Sequence, residues 1–128
     1  MSQEELIKYR IARANETLKE ARLLADAGYW NAAANRLYYA CFYLVNALLI
    51  SRKLSFNSHN GVKTEFNRTF VKSGLVSMES GKCYARVFNL RQEGDYIDFK
   101  RFEKQDIDPF FEEVQAFFKE VTPLITLE

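Results

Sequence analysis

The residues most able to do chemistry lie in Asn89-Leu90-Arg91-Gln92-Glu93-Gly94-Asp95-Tyr96. Tyr84, Val87, Phe88 and Leu90 precede them at helical spacing, the pattern of a helix packed on a core. On that helix Arg91 and Asp95 stand four residues apart and share a face. An arginine, an acid and a phenol at the end of a packed helix can bind a phosphate-bearing ligand, or they can be an ion pair beside a packed ring. A second group sits upstream. Arg36, Tyr39 and Tyr43 fall at i, i+3 and i+7 in an apolar stretch and share one face. An arginine there needs an acid, carbonyl oxygens or a groove open to water. Asp95 or Glu93 is the expected acid, which would join Arg36, Arg91 and Asp95 in one polar cluster between helices. His59, the sole histidine, follows Ser58 and opens a further helix. It either closes the helix entry or serves as a general base or phosphate contact.

The elements that must position these groups read as helices. Both prolines, Pro109 and Pro123, lie near the C-terminus, and no strict alternation of apolar and polar residues occurs. Five helices are predicted. The first runs from about Ser2 to Ala27, with Ile7, Ile11, Ala14, Leu18, Ala21 and Ala25 as its stripe and Gly28 as its stop. The second, from about Trp30 to Lys53, is apolar on nearly every face, as befits a central helix or one that also meets a partner. Ser58 caps the third, which carries Val62, Phe66, Phe70 and Val71 and stops at Ser73-Gly74. The fourth covers about Ser80 to Asp95. The fifth starts at Asp108-Pro109, where Asp caps and Pro takes the first turn, and its stripe is Phe110, Val114, Phe117, Phe118 and Val121. The segment from Tyr96 to Gln105 is polar and has room for a helical turn. The fold class is all-α: one domain over residues 1–128, an antiparallel up-and-down bundle with short loops.

Bulk composition narrows the function. A chain of 128 residues buries roughly two thirds of its unfolded surface, enough for a core without staples. Net charge is +1, from 18 basic and 17 acidic residues, so any anion site is local rather than a property of the whole surface. Lys63, Arg68, Lys72, Lys82 and Arg86 are scattered, as solubilising lysines and arginines usually are. With 11 Phe and 7 Tyr, the aromatic load exceeds what a small bundle needs, which points to aromatic surface shared with a second subunit. Cys41 and Cys83 sit within apolar helical patterns and read as buried thiols. Zinc spacing, glycine-rich phosphate loops, GxSxG, HExxH and EF-hand loops are all missing, so neither metal nor cofactor is expected. The start Met-Ser-Gln-Glu-Glu is no apolar leader, and the stretch around Leu37 to Ile50 is too short and interrupted to span a membrane. A cytoplasmic location is the expectation.

Four segments together carry a resemblance: Ala33-Ala34-Asn35-Arg36-Leu37-Tyr38-Tyr39-Ala40-Cys41-Phe42, Ser58-His59-Asn60-Gly61-Val62, Phe70-Val71-Lys72-Ser73-Gly74 and Leu90-Arg91-Gln92-Glu93-Gly94-Asp95-Tyr96. In this order the chain resembles the HEPN superfamily of prokaryotic helical proteins over about residues 4 to 122. It looks most like a branch of short single-domain members formerly described as an uncharacterised family. The resemblance implies a helical bundle that forms a homodimer, with polar motifs lining an inter-subunit cleft. It implies a place beside a small nucleotidyltransferase in a toxin–antitoxin or defence system. Many members are metal-independent ribonucleases whose motif is an arginine, four to six residues, then a histidine.

The chain departs from that motif. Arg91 matches the arginine, but Tyr96 stands where the histidine belongs. A phenol with pKa about 10 is ionised to about one part in a thousand at pH 7, some ~4 kcal/mol short of readiness as a base. In some relatives a tyrosine two positions beyond the histidine is modified with AMP by the partner enzyme; here that position is Asp98. The preferred expectation is thus a dimeric module that binds nucleotide or RNA through Arg36, Tyr39, Arg91, Asp95 and Tyr96 without cleaving it. A ribonuclease toxin with an altered centre, using Arg91, Tyr96 and His59, is the first alternative. A purely structural association module is the second.

Overall fold

The computed structural model describes residues 2–54 and 56–127, and among them every regular element is helical. Helix α1 spans Gln3–Asp26. It starts at a capping box in which Ser2 Oγ accepts from the Glu5 amide at 3.1 Å and the Ser2 amide donates back to Glu5 at 3.2 Å. It ends where Gly28 turns the chain at φ +84°, a conformation that favours glycine. Helix α2, Trp30–Ser51, returns along α1 and forms the centre of the bundle. Leu37, Tyr38, Leu44, Val45, Leu48 and Leu49 are wholly buried along it, so its apolar character on nearly every side reflects central packing.

Ser58 caps α3, His59–Phe66, by accepting from the Gly61 amide at 2.8 Å. The helix then widens into a π-helical turn over Asn67–Val71, before Gly74 at φ +84° ends the segment. Helical spacing did not reveal this wider turn; Phe66 and Phe70, four residues apart, are both wholly buried. Helix α4, Met78–Tyr96, begins two residues earlier than expected, because the cap is Ser77, whose Oγ accepts from the Ser80 amide. Glu120 secures this start by accepting from the Ser77 amide, Ser77 Oγ and Ser80 Oγ.

A single turn, α5 at Lys104–Ile107, follows the connection, and α6 covers Phe110–Val121. Asp108 is not a side-chain cap there; its carboxylate meets Arg22 of α1 at 3.2 Å. Behind these elements lies one continuous apolar core to which α1, α2, α3, α4 and α6 all contribute. Among the described residues no helix is long and apolar enough to cross a membrane.

Candidate anion site at the end of α4

Arg91 lies on the inner side of α4 and is only 6% exposed. Its Nη1 donates to Tyr39 Oη at 3.3 Å and to Tyr96 Oη at 3.4 Å. The guanidinium carbon stands 4.9 Å from the Tyr38 ring centre, 5.6 Å from that of Tyr39 and 5.5 Å from that of Tyr96. Its Nε is buried without a hydrogen-bond partner, and among the described residues no carboxylate pairs with the group. Three phenol faces offer quadrupole attraction to the cation, yet nothing neutralises its charge. Burial opposes that charge, and Tyr39 and Tyr96 together outweigh burial, raising the pKa above the usual arginine value. At pH 7 the arginine is a desolvated cation with donors to spare.

The other expected members of the cluster are arranged differently. Asp95 does not pair with Arg91; it accepts from Asn35 Nδ2 at 2.9 Å. Arg36 does not reach Asp95 or Glu93. It donates through Nη2 to Asn35 Oδ1 at 2.7 Å, and its acid is Glu20 of α1 at 3.7 Å. Its guanidinium carbon lies 5.1 Å from the Tyr39 ring centre. Asn35 therefore links the two groups predicted to meet directly. Tyr39 joins them to Arg91, while Tyr43 turns toward Arg13. Tyr96 lies over Arg91 as the outermost group and is 70% exposed.

His59 comes to this cluster through Tyr38, a residue that helical patterning placed only in the core. Tyr38 Oη and His59 Nδ1 are 2.7 Å apart. Burial pushes the Tyr38 phenol up to about 12, so it keeps its proton. The protonated phenol donates to Nδ1 or accepts from it according to the imidazole tautomer. The imidazole also packs on Phe42, with ring centres 4.6 Å apart, and lies 5.8 Å from Tyr39. A cavity of about 290 Å³ opens beside it, walled by Phe42, Phe56 and Val62. The signal that could have found Tyr38 is its hydroxyl: a phenol in a fully buried helical position must find a partner.

Burial, and next the positive charge of Arg91, hold His59 below its ordinary 6.5. As pH falls through 6.5 the unfolded chain takes up the proton before the folded one does. Stability is therefore full above that pH and declines below it, until folded His59 is protonated too. The free energy of unfolding is expected to rise with pH across this window, with a shallower slope in His59→Gln. Chemical denaturation at a series of pH values checks this, and equal slopes in the two proteins would refute the assigned environment.

Among the described residues no group of three or more His, Cys, Asp or Glu side chains is placed to hold a metal ion. Cys41 and Cys83 are free and buried.

Comparison with known proteins agrees with this architecture. The family model described as HEPN domain matches residues 7–124. A "UPF0332 protein" of Thermotoga maritima is 42% identical over 95% of this chain and 92% of its own length. Two proteins of Methanocaldococcus jannaschii, each named "Putative toxin", are also similar. One is 30% identical over 74% of this chain and 67% of its own, the other 29% identical over 91% and 92%. With nearly the whole bundle matched, the chain belongs to the HEPN domain family.

Proposed function

We propose that this chain is a toxin-like HEPN module that dimerises, pairs with a nucleotidyltransferase and holds a phosphate of RNA or of a nucleotide at Arg91 without cleaving it. The observation that carries the reading is the buried Arg91 guanidinium, ringed by Tyr38, Tyr39 and Tyr96 and lacking a carboxylate partner among the described residues. A phosphate taking the place of the Tyr96 hydroxyl would supply the missing charge and accept the spare donors. The toxin names of two relatives and the family membership favour the broader setting. The exposed Tyr96 ring beside the cluster favours a second subunit as its cover.

The surroundings of His59 favour binding without cleavage. A general base must accept a proton and become a cation. Here Nδ1 is engaged by Tyr38, burial disfavours the charged imidazolium, and Arg91 opposes a second positive charge.

Titration of AMP and of a labelled, unstructured RNA hexamer tests this. Wild type is expected to bind, and Arg91→Ala to lose about tenfold to a hundredfold in affinity, the value of one or two charged hydrogen bonds. A wild-type protein that binds neither probe overturns the proposal. Cleavage of the hexamer by pure protein, stopped by His59→Ala, overturns the non-catalytic part and establishes the ribonuclease alternative.

A further inference from the structure

A second cavity, of about 420 Å³, lies at the opposite end of the exposed side of α2 from His59. Its walls include Tyr29, Trp30, Lys100, Arg101 and Phe102. None of these residues belongs to the Arg91 cluster. The basic pair sits on the connection between α4 and α5, and that connection is pinned on both sides of it. Asn31 Nδ2 donates to the Lys100 carbonyl at 2.9 Å, and the Phe102 amide donates to Asn31 Oδ1 at 2.8 Å. Buried Phe102 also packs over Gly94, where an added methyl would come within 2.9 Å of its ring. An exposed connection would ordinarily wander. Here one asparagine and one glycine hold two cations in place over aromatic walls.

The charges are available. Lys100 Nζ lies 5.5 Å from the Phe102 ring centre, and its acid contact among the described residues is Glu93, at the loose distance of 3.9 Å. Arg101 is exposed and has no carboxylate partner among the described residues. Trp30 is half-buried, and Tyr29 stands largely in solvent. Cations beside open aromatic faces suit the alternation of phosphate and base in a single strand.

Register along α2 connects this cavity to the site already described. Asn31, Asn35, Tyr39 and Phe42 recur at intervals of three or four residues and so lie along one face. From Asn31 to Tyr39 the helix advances roughly 12 Å. A phosphate at Arg91 and a base at Trp30 are therefore separated by a half-buried polar strip of α2, with Asp95 bonded to Asn35 beside it, rather than by core.

We infer that the Trp30–Lys100–Arg101 cavity is a second subsite for single-stranded RNA, taking a base and the adjoining phosphates of a strand whose other phosphate lies at Arg91. This rests on the reading of Arg91 as a phosphate site and narrows its ligand from a lone nucleotide to an oligonucleotide. Lys100 and Arg101 hold backbone, Trp30 stacks on a base, and Asn31 is a positioning residue.

The single tryptophan makes the cavity directly observable. Titration of wild type with the RNA hexamer is expected to quench Trp30 fluorescence and to give tighter binding than AMP. In the double variant Lys100→Ala/Arg101→Ala, hexamer affinity is expected to fall about tenfold or more. The slope of log affinity against log salt should drop by roughly 1.4, the share of two single-strand phosphates. Both side chains are exposed, so the variant is expected to fold. A control with the same loss of charge, Lys72→Ala/Lys119→Ala, should retain most of the affinity. An unquenched Trp30, an unchanged salt slope in the double variant, or an equal loss in the control overturns the inference. A separate pattern identifies failure at Arg91 alone: if Arg91→Ala binds as wild type while the Trp30 signal still depends on Lys100 and Arg101, the cavity stands and the Arg91 reading falls. Wild type that binds no RNA removes both.

Discussion

Arg91→Met is expected to make the fold more stable and to weaken ligand binding. Methionine approximates the volume of the arginine stem and fills irregular gaps between rings. What is lost is a cation with an unpartnered Nε and two long contacts to phenol oxygens. The opposing terms can be compared. Cation–π attraction to neighbouring rings is worth about 0.5–2 kcal/mol per contact. Removing a charge from water costs several kcal/mol even after relaxation, and buried charged groups replaced by packed apolar ones often leave proteins ~1–4 kcal/mol more stable. Because three rings recover part of the cost, a gain of about 1–2 kcal/mol is expected, or several degrees in the unfolding midpoint. RNA and AMP binding should weaken about tenfold to a hundredfold, as in Arg91→Ala, since a thioether offers no donor. The same variant removes the charge that helps hold His59 low, so the imidazole resonance should titrate at higher pH than in wild type. Thermal unfolding and NMR titration of the lone histidine check both effects. A clear loss of stability would mean that Arg91 is there to hold the bundle together, and the case for a ligand would weaken accordingly.

The contrast between Arg91 and Asp95 shows how far a sequence can be read. Periodicity places side chains on faces, and in that respect it served well. The stripes of α1 and α6, the central character of α2, the Ser58 cap and the Gly28 stop follow from local rules and appear in the structure. Four-residue spacing also suggested an ion pair, but spacing does not choose rotamers or neighbours. Arg91 turns inward because α2 offers two phenolic surfaces, Tyr38 and Tyr39, within reach across the bundle. Asp95, nearer the helix end, faces outward to Asn35. The Glu20 partner of Arg36 depends on the register between α1 and α2, which no single-helix pattern contains. His59 meets the arginine's neighbours only because α3 docks its first residue on Tyr38, a contact across 21 positions of chain. The π-helical turn was illegible for a related reason: one inserted residue shifts the stripe without changing its composition.

Docking of α3 is where core and site meet, and Phe66→Ala is expected to disrupt both. An isolated helix of eight residues is far below the roughly 12–15 needed for marginal stability in water, so α3 depends on tertiary contacts. Val62 and Phe66 are its fully buried residues. Phe66 carries most of the load, with ring centres 5.4 Å from Tyr84 of α4 and 5.9 Å from Phe117 of α6. Cutting it to alanine removes the aromatic tie among three helices and leaves a cavity, at a cost of about 3–5 kcal/mol. Against a typical total of about 5–15 kcal/mol that is a large share, and the urea midpoint should fall steeply with little change in the slope of the transition. Loss of the anchor should also loosen the far end of the helix, where His59 bonds Tyr38. Its imidazole is then expected to titrate closer to 6.5, and affinity for RNA should weaken although Phe66 touches no ligand. Phe66→Leu, which keeps most of the apolar volume, should recover much of the stability and restore the histidine titration together. If stability falls by the expected amount while the His59 titration stays where it was in wild type, the entry of α3 is held independently of its core anchor, and the site is more rigid than its short helix implies.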